Sequence, residues 1–448
     1  MTLPARTAFY LGLIAFALGA QESKRKDAAS GDWATLRKAG YASFHAGHYA
    51  EAARDFEQSL PLARTPEKRA ATLAAIGYSL SELGRMKEAF EKLHEALSMW
   101  RQIDARGPAT AEAAIWVGNA DRVMGRFAEA ERTLRAALDA SPRDDAERAA
   151  VLSALASMLQ EQGRFTEARE KFEAALRLSP AGGENRVDTL LGLGETERAT
   201  REWQPALEHF NEAIALARQM SKAGFEASAL RNVGNTYLEM GNFAKAEYFL
   251  RRALAILETM PALQIQFEET LVCIGNLYDA EKKHALAEEA YMRALSARGG
   301  LNASDARSAM PLQYLAIIRA QQKRFPEATD LANRAYRIMT ATFGAESVPA
   351  AGALGTIVVV ETLAGEFESA EEHYSESLRI MRAQGVLNSD AGPGVMSGYA
   401  GALKEMHRGR DLKAVEGQLK SFRNAKQIAN RIPPAGPREP FALQSNRD

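Results

Sequence analysis

The histidines of this chain are spread singly along its length. The sequence contains seven histidines and one cysteine, Cys273. His45 and His48 are close together but straddle a predicted turn, and no two histidines have the His-Glu-x-x-His spacing that places both rings on one helix face around zinc. One cysteine allows neither a disulfide nor a cysteine-based zinc site. The sequence therefore predicts no metal site, and we expect Cys273 to be a small buried apolar side chain.

The sequence contains no phosphate-binding or nucleophile motif in the strand-to-helix context that such motifs require. Gly192-Leu193-Gly194 lies inside a helical pattern, whereas a nucleotide-binding glycine loop joins a strand to a helix. Serines near glycines have no predicted strand before them, as a nucleophile elbow would require. Acidic residues are abundant, but they fall on polar helix faces beside Lys and Arg, where ion pairs stabilise helices only weakly. We expect no catalytic residue, no cofactor and no enzymatic activity.

One short phrase recurs along the chain. It begins with a glycine, has an aromatic or apolar residue two positions later and an alanine five positions later. The first four copies are 37, 41 and 38 residues apart, and a repeat of this period indicates an array of stacked supersecondary units. Copies begin at Gly47, Gly84, Gly125, Gly163, Gly241 and Gly365.

Each copy lies at the turn of a predicted helical hairpin. Around Gly241, apolar residues recur at three- and four-residue steps on both sides, which predicts two amphipathic helices. Gly234, two helical turns earlier, has no side chain where the partner helix crosses, and Ala246 is the small residue opposite. A large residue four positions after each such alanine is expected to pack into the groove between the helices. These large residues are Phe56, Leu93, Leu134, Phe172, Phe210 and Tyr291.

These residues resemble the tetratricopeptide repeat over about residues 33–422. The resemblance implies an all-α fold, a right-handed superhelical α-solenoid of about ten helical hairpins. Because the period exceeds the usual 34-residue unit, the chain looks like the long-repeat variety of kinesin light chains, in a bacterial exported form. We expect repeats in an N-terminal block at 33–180, a central block at 181–300 and a last block with cap helices at 301–430.

Three asparagines directly follow crossing glycines, at Asn119, Asn235 and Asn276. In the family, this position faces the concave groove of the superhelix. An asparagine there resembles the amide ladder by which related arrays hold the backbone of an extended peptide, since an amide both donates and accepts hydrogen bonds. The alternative is that these asparagines make local polar contacts between neighbouring first helices.

Three arginines lie on the same faces by the family's register, at Arg122, Arg198 and Arg231. A guanidinium group can hold a carboxylate through paired hydrogen bonds, so these residues would select acidic side chains or a carboxylate. The alternative is that they only keep the groove solvated.

Charge and composition exclude several classes of partner. The formal net charge is −1, so the chain has no overall positive field for nucleic acid or an acidic membrane surface. The tryptophans and tyrosines recur at helical spacing with other apolar residues, which predicts packing rather than stacking on bases. We therefore expect a protein partner that binds through an extended or helical segment, with no nucleic acid and no small-molecule substrate.

The N-terminus carries an apolar run from Ala8 to Ala20, preceded by Arg6. This run is typical of a secretory signal and is too short for an ordinary membrane-spanning helix. We predict a signal peptide at 1–20, a polar linker at 21–32, a flexible tail at 431–448 and a periplasmic or extracellular location. The positive cluster from Lys24 to Lys26 opposes export of the chain beyond it, so an uncleaved membrane anchor and a cytoplasmic protein remain alternatives.

The sequence thus predicts a non-enzymatic scaffold that binds a peptide segment of a partner protein in the concave groove. The alternative is a structural array of the cell envelope that self-associates through its hairpin edges, as a homo-oligomer with the groove unused.

Overall fold

The computed structural model describes residues 31–140, 145–296, 300–302, 305–387 and 391–429. These residues form twenty α-helices in ten consecutive hairpins and contain no strand. The predicted all-α solenoid of about ten hairpins is confirmed. The predicted signal peptide, most of the predicted linker and the predicted tail lie outside the described residues. The first helix begins at Gly31, within the segment predicted as a linker.

The first helices of the hairpins are α1 (Gly31–His45), α3 (Pro66–Glu82), α5 (Pro108–Val123), α7 (Asp145–Glu161), α9 (Glu184–Ala199), α11 (Ala223–Glu239), α13 (Gln264–Ala280), α15 (Ala309–Gln321), α17 (Val348–Ala364) and α19 (Ala391–Glu405). The second helices are α2 (Tyr49–Ser59), α4 (Met86–Ile103), α6 (Phe127–Ala140), α8 (Phe165–Leu178), α10 (Trp203–Gln219), α12 (Phe243–Glu258), α14 (His284–Ser296), α16 (Phe325–Phe343), α18 (Phe367–Ala383) and α20 (Gly409–Ala429). Short 3₁₀ segments at Leu60–Leu62, Pro261–Leu263, Gly300–Asn302 and Ala306–Ser308 lie in connections between hairpins.

The tight turn within each hairpin requires a left-handed backbone conformation. Gly84 and Gly125 adopt φ values of 75° and 77° there, which glycine reaches without steric cost. Where the glycine is absent, Arg201, Lys282 and Lys323 take the same conformation, with φ of 65°, 63° and 63°. The turn geometry is therefore kept even where its preferred residue is not.

The crossing glycines contact the large residues of their partner helices. A Cβ atom added at Gly118 would lie 2.7 Å from Leu134 Cγ, and one at Gly275 would lie 2.3 Å from Tyr291 Cε1. Both large side chains are almost fully buried. This confirms the prediction that a glycine on the first helix makes room for a large side chain on the second helix.

The first helices lie on the inner side of the curved array. Neighbouring first helices contact each other, as α5 does with α7 and α17 with α19, whereas no comparable contact joins neighbouring second helices among the described residues. Elements on the inside of a curve approach more closely than those on the outside. The side chains that the first helices turn inward therefore form a continuous surface, which we call the inner surface.

The superhelix completes a turn after about six hairpins, and successive turns touch. A Cβ atom at Gly47, in the turn of the first hairpin, would lie 3.2 Å from the carbonyl oxygen of Ala262, which precedes the seventh hairpin. A Cβ atom at Gly84 would lie 3.5 Å from Ala306 Cβ. These contacts, together with those of Gly125 to Val348, define a line that we call the seam.

Candidate functional site

An aromatic and charged cluster forms the inner surface of the first three hairpins. Trp116 on α5 packs against Tyr78 on α3, with ring centroids 4.2 Å apart, and Arg37 on α1 donates a 3.0 Å hydrogen bond to the Tyr41 hydroxyl. Burial raises the pKa of the Glu112 carboxyl to about 7, although the positive charge of Arg37 acts in the opposite direction. This end of the inner surface therefore holds a carboxyl that titrates near neutral pH.

The three predicted asparagines all lie on first helices, in the third, sixth and seventh hairpins. Asn235 donates a 3.4 Å hydrogen bond to Cys273 Sγ, and Asn276 accepts a 2.7 Å hydrogen bond from the Tyr291 hydroxyl. Asn119 makes no side-chain hydrogen bond within the described part of the chain and is half-buried. The structure thus brings Asn235 and Asn276 together on adjacent first helices and leaves Asn119 three hairpins away.

The predicted arginines each pair with a glutamate on the next first helix, a contact that the sequence did not predict. Arg122 pairs with Glu161 and Arg231 with Glu269. Arg198 pairs with Glu239 in the same way. The three pairs span 39, 38 and 41 residues, about one repeat period. An arginine and a glutamate spaced one period apart on first helices therefore form a sequence pattern from which these ion pairs could have been predicted.

The middle of the inner surface is a buried polar cluster. Arg231 and Glu269 have side chains only 12% and 11% exposed, and burial raises the pKa of Glu269 although Arg231 opposes this. Cys273 is half-buried and packs against the apolar core, and burial also raises the pKa of its thiol. A thiol with a raised pKa is a weak nucleophile at neutral pH. The cluster is suited to hydrogen bonding rather than to covalent chemistry.

In the described part of the chain, two histidines form hydrogen bonds with carboxylates of their own hairpins. His209 Nδ1 lies 2.7 Å from Glu197, and His373 Nδ1 lies 3.0 Å from Glu361. The hydrogen bond to Glu361 raises the pKa of His373. Among the described residues, no cluster of three or more His, Cys, Asp and Glu side chains is arranged to hold a metal ion. Gly192 packs against the Phe172 ring, so close helix packing explains why this residue is a glycine.

The repeat units match known family models. One model of the tetratricopeptide repeat matches residues 68–143, 147–219 and 306–383, which is just over half of the chain. The chain belongs to the tetratricopeptide repeat family. Two further models of the same repeat match residues 227–260 and 269–299, so the recognised units of this tetratricopeptide repeat protein run from the second hairpin to the ninth.

Three solved structures are similar to this chain to different degrees. The crystal structure of a Rap protein complexed with competence and sporulation factor has a TM-score of 0.56 and 11% sequence identity, covering 81% of this chain and 99% of that chain. BtubC (BKLC) from P. vanneervenii has a TM-score of 0.41 and 20% identity, over 48% of this chain and 91% of its own. A tetratricopeptide repeat protein from Parabacteroides merdae has a TM-score of 0.41 and 15% identity, over 59% and 93%. The first of these similarities supports the fold.

No curated protein matches this tetratricopeptide repeat sequence. Within the part of the chain that the structure describes, no helix combines the length and the apolar character needed to cross a bilayer.

Proposed function

We propose that this tetratricopeptide repeat protein is a non-enzymatic scaffold that binds a peptide segment of a partner protein on its inner surface. The observation that carries the proposal is the strip formed by Asn235, Cys273 and Asn276 on two adjacent first helices, with the Arg231–Glu269 pair beside it. Half-buried amides in a row can exchange hydrogen bonds with a peptide backbone. Family membership supports the scaffold role, and the Rap protein of similar fold was solved in complex with competence and sporulation factor.

The arginines of the inner surface bear on which chemical groups of the partner segment the protein recognises. Since Arg122 and Arg231 already pair with glutamates, an acidic group of the partner must compete with a carboxylate of the protein itself. We therefore assign most of the recognition to the asparagines and a selective role to the arginines.

The amide strip can be tested by substitution. Peptides that bind the protein would be selected from a display library of random linear sequences, and their affinities compared for the unaltered protein and for Asn235→Ala. Asn276→Ala is made together with Tyr291→Phe, because removing the acceptor alone would leave the Tyr291 hydroxyl of an almost fully buried residue without its partner, at a cost of about 1–3 kcal/mol.

The expected result is a loss of affinity of about tenfold in each variant, with unchanged helicity. Asn211→Ala on the outer helix α10, where Asn211 is exposed, is the matched control. If the selected peptides bind the Asn235 and Asn276 variants as tightly as they bind the Asn211→Ala variant, the amide strip does not bind peptides. If the library yields no binder, peptide binding itself is refuted.

Self-association is a second candidate, favoured by apolar side chains near the turns of the sixth and seventh hairpins. Met240, Tyr248 and Leu286 are 45%, 57% and 43% exposed. Size-exclusion chromatography with light scattering would show a concentration-dependent oligomer that Met240→Ser with Leu286→Ser converts to a monomer. A monomer at all concentrations refutes this candidate.

We also propose that the protein is exported and that its repeats are of the long, kinesin light chain-like variety. The apolar run from Ala8 to Ala20 supports export, and second helices of 18 and 19 residues, α4 and α16, support the long repeat. Mass spectrometry of the protein purified from its native cell would give the mature N-terminus. A retained Met1 in the soluble fraction would contradict export.

A further inference from the structure

The seam closes the open side of the superhelical groove along the first three hairpins. Gly47, Gly84 and Gly125 lie in the turns within hairpins, at one edge of the helical ribbon. Their neighbours Ala262, Ala306 and Val348 lie at the opposite edge, in or beside the connections between later hairpins. One edge of the ribbon therefore meets the other edge of the next turn.

Two further contacts extend and fasten the seam. Helix α20 of the tenth hairpin contacts helix α8 of the fourth, which carries the closure one hairpin further. At the second hairpin, Arg307 donates a 2.9 Å hydrogen bond to Glu82, and their side chains are 12% and 4% exposed. A buried, hydrogen-bonded ion pair is costly to separate because each charge would be left without its partner. The seam is thus a closed contact.

The inner surface behind the seam still meets solvent. Asn119, Ser157 and Asn235 on the first helices are half-buried rather than buried, and Arg231 and Glu269 keep 12% and 11% of their side-chain surface exposed. A groove closed along its side and lined by partly exposed polar groups is a channel. Its openings are at the two ends of the superhelix.

We propose that the partner segment enters this channel end-first, so that the partner is a free peptide or a flexible chain terminus rather than an internal loop of a folded protein. This inference rests on the proposed function. A loop held at both ends by a folded domain reaches the inner surface only through the seam, which would have to separate Arg307 from Glu82 and part the edges at Gly84 and Ala306. A free end passes along the channel and leaves these contacts intact.

Access to the channel is measured first without any peptide. Asn119→Cys, made together with Cys273→Ala, places a thiol on the inner surface behind the seam. Asn211→Cys in the same background places one on the exposed outer helix α10. Each thiol is treated with N-ethylmaleimide and with a maleimide held by a short linker on a folded carrier protein.

We expect N-ethylmaleimide to modify both thiols and the carrier maleimide to modify only the outer one. If the carrier modifies both positions at similar rates, the side of the channel is open and the inference fails. It also fails if neither reagent reaches the inner thiol, since no peptide would then enter. These outcomes do not depend on whether the protein binds peptides.

The route of entry is then tested with a lock across the seam. Gly84→Cys with Ala306→Cys, in the Cys273→Ala background, places two Cβ atoms about 3.5 Å apart, within the range of a disulfide. A peptide selected from the random linear library is presented in two ways, at the terminus of a carrier protein and within a loop of the same carrier. The reduced form of the same variant is the matched control.

The oxidised protein is expected to bind the terminal presentation within about twofold of the reduced protein and to bind the loop presentation at least about tenfold more weakly than the terminal one. The inference is overturned if the oxidised protein binds both presentations equally well. It is also overturned if oxidation abolishes binding of the terminal presentation. If no peptide binds even the reduced protein, the proposed function fails, and the maleimide experiment decides the access of the channel separately.

Discussion

Arg307 donates a 2.9 Å hydrogen bond to Glu82 although 225 residues separate them in the sequence. In a solenoid each hairpin contacts mainly its neighbours, and this pair is an exception that joins the second hairpin to the connection before the eighth. It also lies near the inner surface, because the positive charge of Arg307 acts on the carboxyl of Glu269. The contact between superhelical turns and the polar cluster of the groove are therefore adjacent.

Arg307→Ala should loosen the seam while leaving the hairpins folded. The substitution leaves Glu82 buried without its charge partner, which weakens the contact between turns by about 3 kcal/mol. We expect a larger radius of gyration in small-angle X-ray scattering and faster amide exchange near Ala306, with unchanged helicity by circular dichroism.

Arg379→Ala is the control for this substitution. Arg379 pairs with Glu346, but both side chains are more than half exposed, at 51% and 64%, so the pair contributes little to stability. The seam assignment is wrong if the two variants have the same scattering profile as the unaltered protein.

The hairpins could be predicted from the sequence because their signals are local. The glycine and the large residue that meet at each crossing recur at fixed distances from the turn, as Gly275 and Tyr291 do. The seam had no such signal. Its position depends on small rotations between hairpins that add up over six units, and Arg307 and Glu82 have no sequence relationship that shows they are neighbours.

The candidate site was predictable only to the level of which positions face inward. Asn235 and Asn276 lie on adjacent first helices, as the repeat register implied, and their role in a groove stays a prediction. Their hydrogen-bond partners, Cys273 and Tyr291, were not predicted, because these depend on side-chain conformations across helix boundaries. Glu112 was also missed, since its raised pKa comes from burial in the folded protein rather than from a neighbouring sequence motif.

Glu112→Gln should stabilise the protein at alkaline pH. The pKa of Glu112 is about 7 in the folded protein and near its ordinary value of 4.5 when unfolded. The folded state therefore binds the proton more tightly, and stability falls as pH rises from about 4.5 to 7. Above pH 7 the ionised carboxyl destabilises the fold by at most about 3 kcal/mol, which the neutral amide removes.

Urea unfolding at pH 5 and pH 8 would measure this effect. We expect Glu112→Gln to be more stable than the unaltered protein at pH 8 and to differ little at pH 5. Glu91→Gln, at an exposed position on α4, is the matched control. A variant of Glu112 with the same gain in stability at both pH values would contradict a role of ionisation.

Two glycine-to-alanine substitutions should have opposite effects. Gly275→Ala would place a Cβ atom 2.3 Å from the Tyr291 ring, so the α13–α14 hairpin must shift at a cost of about 1–3 kcal/mol. Gly352 lies within α17 with no atom within 4 Å of an added Cβ, so Gly352→Ala should stabilise the helix by up to about 1 kcal/mol. Thermal unfolding of the two variants would show a lower and a higher midpoint. Stabilisation by Gly275→Ala would mean that Tyr291 does not fill the crossing.

Lys282→Gly should stabilise the turn of the seventh hairpin. Lys282 has a φ of 63°, in the left-handed region where hairpins such as the second and third have glycine. A residue with a Cβ atom is disfavoured there by about 1–2 kcal/mol, whereas glycine is not. Part of this gain is offset because glycine makes the unfolded chain more flexible, so we expect a net stabilisation of about 0.5–1 kcal/mol. Glu289→Gly, at an exposed position inside α14 of the same hairpin, is the control and should destabilise by about 1 kcal/mol. Chemical denaturation of the two variants measures both changes, and destabilisation by Lys282→Gly would show that the lysine side chain, rather than the backbone, determines the stability of this turn.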